Sequence, residues 1–175
     1  QLLAELGYAI DGPTTYTNAD FYADVQTGAV DLWINGWFPL HDQLLDGGDD
    51  AGARAVGFEV RGGALQGYLA DISSIEATGI TTLADLADPD TAAMFDADGN
   101  GLADLIGCNI EWTCHDIVEH HLDAYGLTDT VEQISADYGP LMEAAARRQA
   151  DGQPILYYTF TPNGNSDMCY TTFYI

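Results

Sequence analysis

The sequence predicts an α/β fold in which strands, mostly parallel, are covered by helices. Three observations carry that expectation. Runs with helical periodicity alternate with short strand-like runs along most of the chain. The strand-like runs are rich in β-branched and aromatic residues, PILYYTF above all. There is no internal repeat or low-complexity tract, and with 47% hydrophobic residues in apolar runs along the whole chain disorder is not expected. With 175 residues there is room for one ordinary domain or two small lobes.

The elements follow in order. QLLAELGYAI places Leu2, Leu3 and Leu6 on one helical face, with Gly7 as a stop and a short apolar strand after it. Asn18 or Asp20 can cap a second helix carrying Phe21, Tyr22 and Val25 and ending near Gly28. AVDLWING reads as a buried strand running into the loop GWFPLHD. Residues 43–63, rich in Gly and Asp, read as surface connections, and LQGYLA as a short strand. ISSIEATGI and TTLADLADP read as brief helical turns, the second stopped before Pro89. An acidic loop spans 96–104, and a helix from His115 to Tyr125 carries Ile117, Val118 and Leu122, with Gly126 as its stop. VEQIS reads as a strand, and Pro140 fits the first turn of a helix that runs through Arg148 and ends before Gly152.

Charge narrows the function classes. The chain carries 28 acidic residues against four basic ones, a formal net charge of -24. The basic residues are Arg54, Arg61, Arg147 and Arg148, and lysine is absent. Nucleic acid and anionic membrane surfaces both need a cationic face, so neither is an expected partner. A surface of carboxylates holds water and cations and suits high salt, where the Debye length shrinks to about 3 Å at 1 M. A salt-loving source is therefore the favoured reading, beside one in which clustered carboxylates bind calcium. No apolar stretch approaches the roughly 20 residues that span a bilayer.

Cys108 and Cys114 bracket a tryptophan in GCNIEWTCHD, and Cys169 stands apart. The close pair can close a small disulfide loop if the chain is exported, or can be two buried thiols in the cytosol. The chain opens at Gln1-Leu2-Leu3 without a basic leader region, which fits a mature product and a cytosolic one alike.

Aromatics in loops are the first chemical signal. Trp37 lies just beyond an expected strand end, Trp112 between the two cysteines, and Phe160 at the end of PILYYTF. Strand ends of open α/β sheets gather ligands, and aromatic faces attract a quaternary ammonium by about 0.5–2 kcal/mol per ring. Taken singly, each ring is an ordinary packing residue. Together, GWFPLHD, LQGYLAD, FDADGNGLADLIGCNIEWTCHD, HHLDAYGL and QPILYYTFTP resemble the substrate-binding proteins of glycine betaine/proline betaine ABC importers, over roughly Leu2 to Pro162. That resemblance implies a type II periplasmic-binding-protein fold of two lobes, with parallel-rich sheets flanked by helices, here incomplete at both ends. Residues 1–63 would be part of lobe I, 64–162 part of lobe II, and 163–175 an unassigned tail. It implies an aromatic box of Trp37, Trp112 and Phe160 around a trimethylammonium group, with phenylalanine where the family typically has tryptophan. Carboxylate contacts carry over to His41 and the backbone N–H groups of Thr113 and Cys114, and Cys108–Cys114 to the family's disulfide. A periplasmic or extracellular location, a betaine-type ligand and an ABC permease partner are implied with it. The residues agree, since a betaine needs a cation site beside an anion site, and a helix starting near Cys114 offers N–H donors.

DADGNGLAD is the second signal. Asp96, Asp98, Asn100, the Leu102 carbonyl and Asp104 stand at positions 1, 3, 5, 7 and 9 of an EF-hand-like loop, with Gly101 at position 6. Position 12 is Gly107 rather than glutamate, so a structural calcium ion would need its closing ligand from elsewhere. An Asx-turn loop without metal is the plainer alternative. In HDIVEHH, His115 with Glu119 and Asp116 with His120 are four apart, but a solvated helix face explains them with less assumption. No catalytic triad, phosphate loop or dinucleotide fingerprint is present, so neither an enzyme nor a catalytic cofactor is expected. The competing reading is an extracellular self-assembling structural protein on the same calcium-stabilised fold. It would use CYTTFYI to pair with a neighbour and Cys169 as an intermolecular bridge.

Overall fold

A strand persists only where neighbours take up its backbone N–H and C=O groups, and this requirement divides the chain. The computed structural model describes residues 2–45, 52–163 and 172–174, and its residues fall into two compact units, 1–57 and 58–175.

The second unit is built on a five-stranded sheet of order β3-β2-β4-β1-β5. Its strands are β1 (Gln66–Asp71), β2 (Ala103–Ile106), β3 (Val131–Ile134), β4 (Leu156–Phe160) and β5 (Thr172–Tyr174). β2 runs parallel to β3 and β4, with Leu105 opposite Leu156, while β1 runs antiparallel to β4 and β5. The α/β expectation holds here, with a mixed sheet. β2 itself was hidden in the sequence, because its first residues continue the acidic run read as a loop.

Three longer helices cover the sheet: α3 (Ile72–Thr78), α5 (Thr113–Ala124) and α6 (Tyr138–Ala150). Val118 and Leu122 of α5 and Met142 and Ala145 of α6 join Leu105, Leu156 and Tyr157 in the core. α5 starts two residues earlier than its periodicity indicated, at Thr113, and ends at Ala124, two residues before Gly126, whose φ of 68° favours glycine. The 3-10 turn Leu83–Ala87 stops before Pro89 as expected, with Asp88 extended. Pro89 then opens the short helix α4 (Pro89–Ala92) at its first position, where its missing N–H costs nothing.

One buried carboxylate ties the sheet to its first helix. Asp71 caps α3 by accepting from the Ser74 N–H at 2.9 Å, and accepts from the Ile155 N–H at 3.0 Å. Burial opposes its charge, but the hydrogen bonds from Ser73, Ile155 and Ser74 outweigh burial and hold its carboxyl below the ordinary value.

The first unit holds α1 (Leu2–Glu5), α2 (Asn18–Thr27) and a 3-10 turn, Leu40–Leu44. α2 is capped by Thr17, whose hydroxyl accepts from the Asp20 N–H at 3.1 Å, rather than by Asn18 or Asp20. It ends at Gly28 as expected, with φ 74°. Phe21 and Tyr22 are buried, and Phe21 stacks on Trp33 at 4.4 Å. The two strands expected in this unit are not formed. Residues after Gly7 and the run AVDLWING carry no ladder, and Tyr8, Ile10, Leu32 and Ile34 are exposed. Among its described residues this unit contains no other strand for them to pair with. Leu2 and Leu3 of α1, and Leu6 just beyond it, are likewise exposed. Cys169 lies outside the described residues.

Candidate functional site

Three elements of the second unit end at the same edge of the sheet. β2 leads through Cys108 into the start of α5, β3 leads into the start of α6, and β4 ends at Phe160. Because β2, β3 and β4 are parallel, these are all C-terminal strand ends, where α/β sheets gather ligands.

Two of the expected aromatics meet there. The rings of Trp112 and Phe160 lie 6.3 Å apart at 69°, edge to face. A third ring, not singled out in the sequence, lies against both. Tyr138, the first residue of α6, is 5.6 Å from Trp112 and 5.5 Å from Phe160. Tyr138 is only 6% exposed whereas Trp112 is 37% exposed, so Tyr138 forms the floor and Trp112 the open wall. The sequence hint that was available is the start of a helix following a parallel strand, at Asp137-Tyr138.

The stretch between the cysteines is held at both ends. Cys108 and Cys114 are joined by a disulfide. Inside the loop, Asn109 accepts the Tyr138 N–H at 3.0 Å, and its amide donates to Asp137 at 3.3 Å. Trp112 is the N-cap residue of α5, and its N–H donates to the Asn109 carbonyl at 3.0 Å. Thr113 and Cys114 are therefore the first two residues of a 12-residue helix, whose positive dipole end suits a carboxylate.

In the first unit, Trp37 and His41 sit one turn apart, with the His41 N–H donating to the Trp37 carbonyl at 2.8 Å. His41 is buried, and its Nδ1 accepts from the Trp37 N–H at 3.3 Å and lies 3.1 Å from the Tyr22 hydroxyl. An Nδ1 that accepts a backbone N–H carries no proton, so the neutral ring bears its hydrogen on Nε2 and keeps that donor. Burial pushes the His41 pKa below its usual value, in keeping with the neutral form.

The acidic loop curls around its own carboxylates. Asp96, Asp98 and Asp104 each bring a carboxylate oxygen to within 4.8 Å of the others. Asp96 accepts from the Gly99 and Gly101 N–H groups at 2.7 and 2.9 Å, and Asp104 from the Ala97 N–H at 2.7 Å. Asn100 accepts the Leu102 N–H at 2.8 Å, and its amide donates to Glu132, which stands beside Asp104 in the β2–β3 register. Gly107, at the closing position of the motif, instead donates its N–H to the Ile134 carbonyl. Burial raises the Asp104 pKa, and the neighbouring Asp98 and Glu132 charges add to it, against the Ala97 hydrogen bond and Arg148. On α5, His115 and Glu119 are engaged by Gln133, at 3.0 and 2.7 Å, rather than directed together at a metal.

A family profile described as the substrate binding domain of the ABC-type glycine betaine transport system matches residues 1–168. The chain belongs to this family. Within it, the chain is 38% identical over 162 residues to the glycine betaine/proline betaine-binding periplasmic protein of Escherichia coli K12, covering 91% of the chain and 48% of that protein. It is 37% identical over 167 residues to the glycine betaine-binding periplasmic protein OusX of Dickeya dadantii, covering 95% and 50%. The chain thus spans about half the length of the curated relatives it matches. Among solved structures, an ABC-transporter choline binding protein in complex with choline superposes with a TM-score of 0.77 at 15% identity, covering 99% of this chain and 57% of that one. The closed, glycine betaine-bound lactococcal OpuAC gives 0.76 at 16%, covering 99% and 61%. These likenesses establish the fold as that of the type II binding proteins, of which the chain spans part. The relatives are named as binding proteins rather than enzymes, and nothing in the comparisons supports a self-assembling structural protein.

Proposed function

We propose that the chain takes part in extracytoplasmic capture of a quaternary-ammonium solute, glycine betaine or proline betaine, for delivery to an ABC permease. The observation that carries this reading is the pairing of Trp112 and Phe160 beside the start of α5. Two π faces and a helix N-terminus on one strand-end edge provide a cation site next to an anion site, which is the charge pattern of a betaine. In this reading Trp112 and Phe160 take the trimethylammonium, and the Thr113 and Cys114 N–H groups take the carboxylate. Trp37 and His41 are assigned to the same task through the family resemblance, Trp37 as a further ring and His41 through its Nε2–H. The two compact units correspond to parts of lobes I and II. The Cys108–Cys114 disulfide fits an oxidising compartment and lowers the ordering cost of binding by fixing Trp112.

Calorimetric titration with glycine betaine tests the proposal. Saturable binding is expected, weakened by Trp112→Ala by about tenfold or more, as loss of one ring and its neighbours' order implies. Absence of saturable binding, or an unaffected Trp112→Ala variant, contradicts it.

Asp96, Asp98, Asn100, the Leu102 carbonyl and Asp104 are proposed to seat a structural calcium ion, whose charge would offset the burial and the Asp98 and Glu132 charges that raise the Asp104 pKa. Calcium should then raise the melting temperature and a chelator reverse it, whereas equal melting in both removes the ion from the account. The net charge of -24 is assigned to service at high ionic strength. A melting temperature that fails to rise from dilute buffer to molar potassium chloride counts against that assignment.

A further inference from the structure

We infer that Tyr138 is a positioning residue of the binding site, acting on the ligand through Trp112 and Phe160. This inference rests on the betaine reading and adds a residue to it. Tyr138, Trp112 and Phe160 close a triangle of ring contacts, and Tyr138 makes its two shorter sides, 5.5 and 5.6 Å against 6.3 Å for Trp112–Phe160. Its planes are tilted by 39° from Trp112 and 33° from Phe160, so the floor ring supports both neighbours with its surface.

Three different segments fix that ring. Its hydroxyl donates to Thr159 Oγ1 at 3.1 Å and lies 3.4 Å from the Tyr158 carbonyl, both on β4 one or two residues before Phe160. Its backbone N–H donates to Asn109, inside the disulfide loop that bears Trp112. Its own position is set by the start of α6. Tyr138 therefore links the segment of the exposed Trp112 to that of the half-buried Phe160, and both rings lose their common support if it is removed. At 6% exposure it offers little face to a ligand, which makes its role one of placement rather than contact.

The consequence is coupling. Tyr138→Leu keeps apolar volume but removes the ring, and it should weaken glycine betaine binding about tenfold, while Tyr138→Phe keeps the ring and should restore binding to within about threefold. In the Trp112→Ala background, Tyr138→Leu should cost about half as much on a logarithmic scale, because one of the two walls it supports has gone. Tyr138→Met carries the same expectation if the leucine variant does not fold. Unchanged affinity in the variant that folds, or an equal loss with and without Trp112, overturns the inference. If the unaltered protein does not bind glycine betaine, the betaine reading falls and the ring triangle is judged without ligand. In that case Tyr138→Leu must diminish the near-ultraviolet circular-dichroism band that Trp112→Ala removes, and an intact band overturns the positioning role.

Discussion

The two units of the chain carry similar sequence signals and meet them differently. AVDLWING and PILYYTF both read as apolar strands, yet PILYYTF becomes β4, hydrogen-bonded on both sides, while AVDLWING forms no ladder and leaves Ile34 68% exposed. The contrast lies in their neighbours. β4 lies between β1 and β2, whereas the first unit has no other strand among its described residues. Apolar patterning proposes a strand, and partners decide it. The site residues divide in the same way. Trp112 and Phe160 are set by a sheet edge, a disulfide and two helix starts, while His41 lies in a single 3-10 turn beside Tyr22 and Trp37 precedes that turn, its indole N–H donating to Asn35 at 2.8 Å.

Core truncation should separate the units most strongly. Leu105→Ala, on the fully buried centre of β2, should destabilise the second unit by about 2–5 kcal/mol, whereas Ile34→Ala should change stability by less than about 0.5 kcal/mol. Chemical denaturation followed by circular dichroism measures both, and equal losses would erase the distinction. Replacing Cys108 and Cys114 together by serine comes next. Freeing so short a loop should cost about 2 kcal/mol and lower the melting temperature of the second unit. An unchanged melting temperature would mean that the hydrogen bonds of Asn109 hold the loop unaided.

The smallest effect is a pH dependence. His41 has a folded pKa below its unfolded value of 6.5, so the unfolded state binds more protons as the medium turns acid. Its contribution to stability is complete above about pH 6.5 and is lost as pH falls through the folded pKa. His121 in the second unit is shifted the same way, by burial and by His120. His41→Gln should therefore flatten part of the fall in stability between neutral and mildly acidic pH. A slope identical to that of the unaltered protein would show that His41 is not held neutral by its surroundings.

Much of the second unit was legible because its signals are local. Gly126 and Gly152 mark helix ends, Pro140 a helix start, and β-branched and aromatic residues mark β4. What escaped depends on distant residues. Tyr138 gains its place from Thr159 and Asn109, 21 and 29 positions away. Gly107 falls at the closing position of an EF-hand-like count, but the amide of Gln133 occupies the space a Cβ there would need. That same amide donates to the His115 carbonyl at 3.2 Å and to Glu119, bracing the first turns of α5 from β3. No periodicity records such a fit. The residues proposed to take the ligand were nominated through family motifs rather than through patterning, since loop aromatics and a lone histidine look alike in any core.

The reading as a whole turns on charge attraction between aromatic faces and a quaternary nitrogen. The most direct measurement compares glycine betaine with 3,3-dimethylbutyrate, which has the same shape and carboxylate but a neutral carbon in place of the nitrogen. Cation–π capture predicts that calorimetry will show the betaine bound on the order of 100-fold more tightly. Equal affinities would contradict it, leaving an apolar pocket with an anion site and no recognition of the cation.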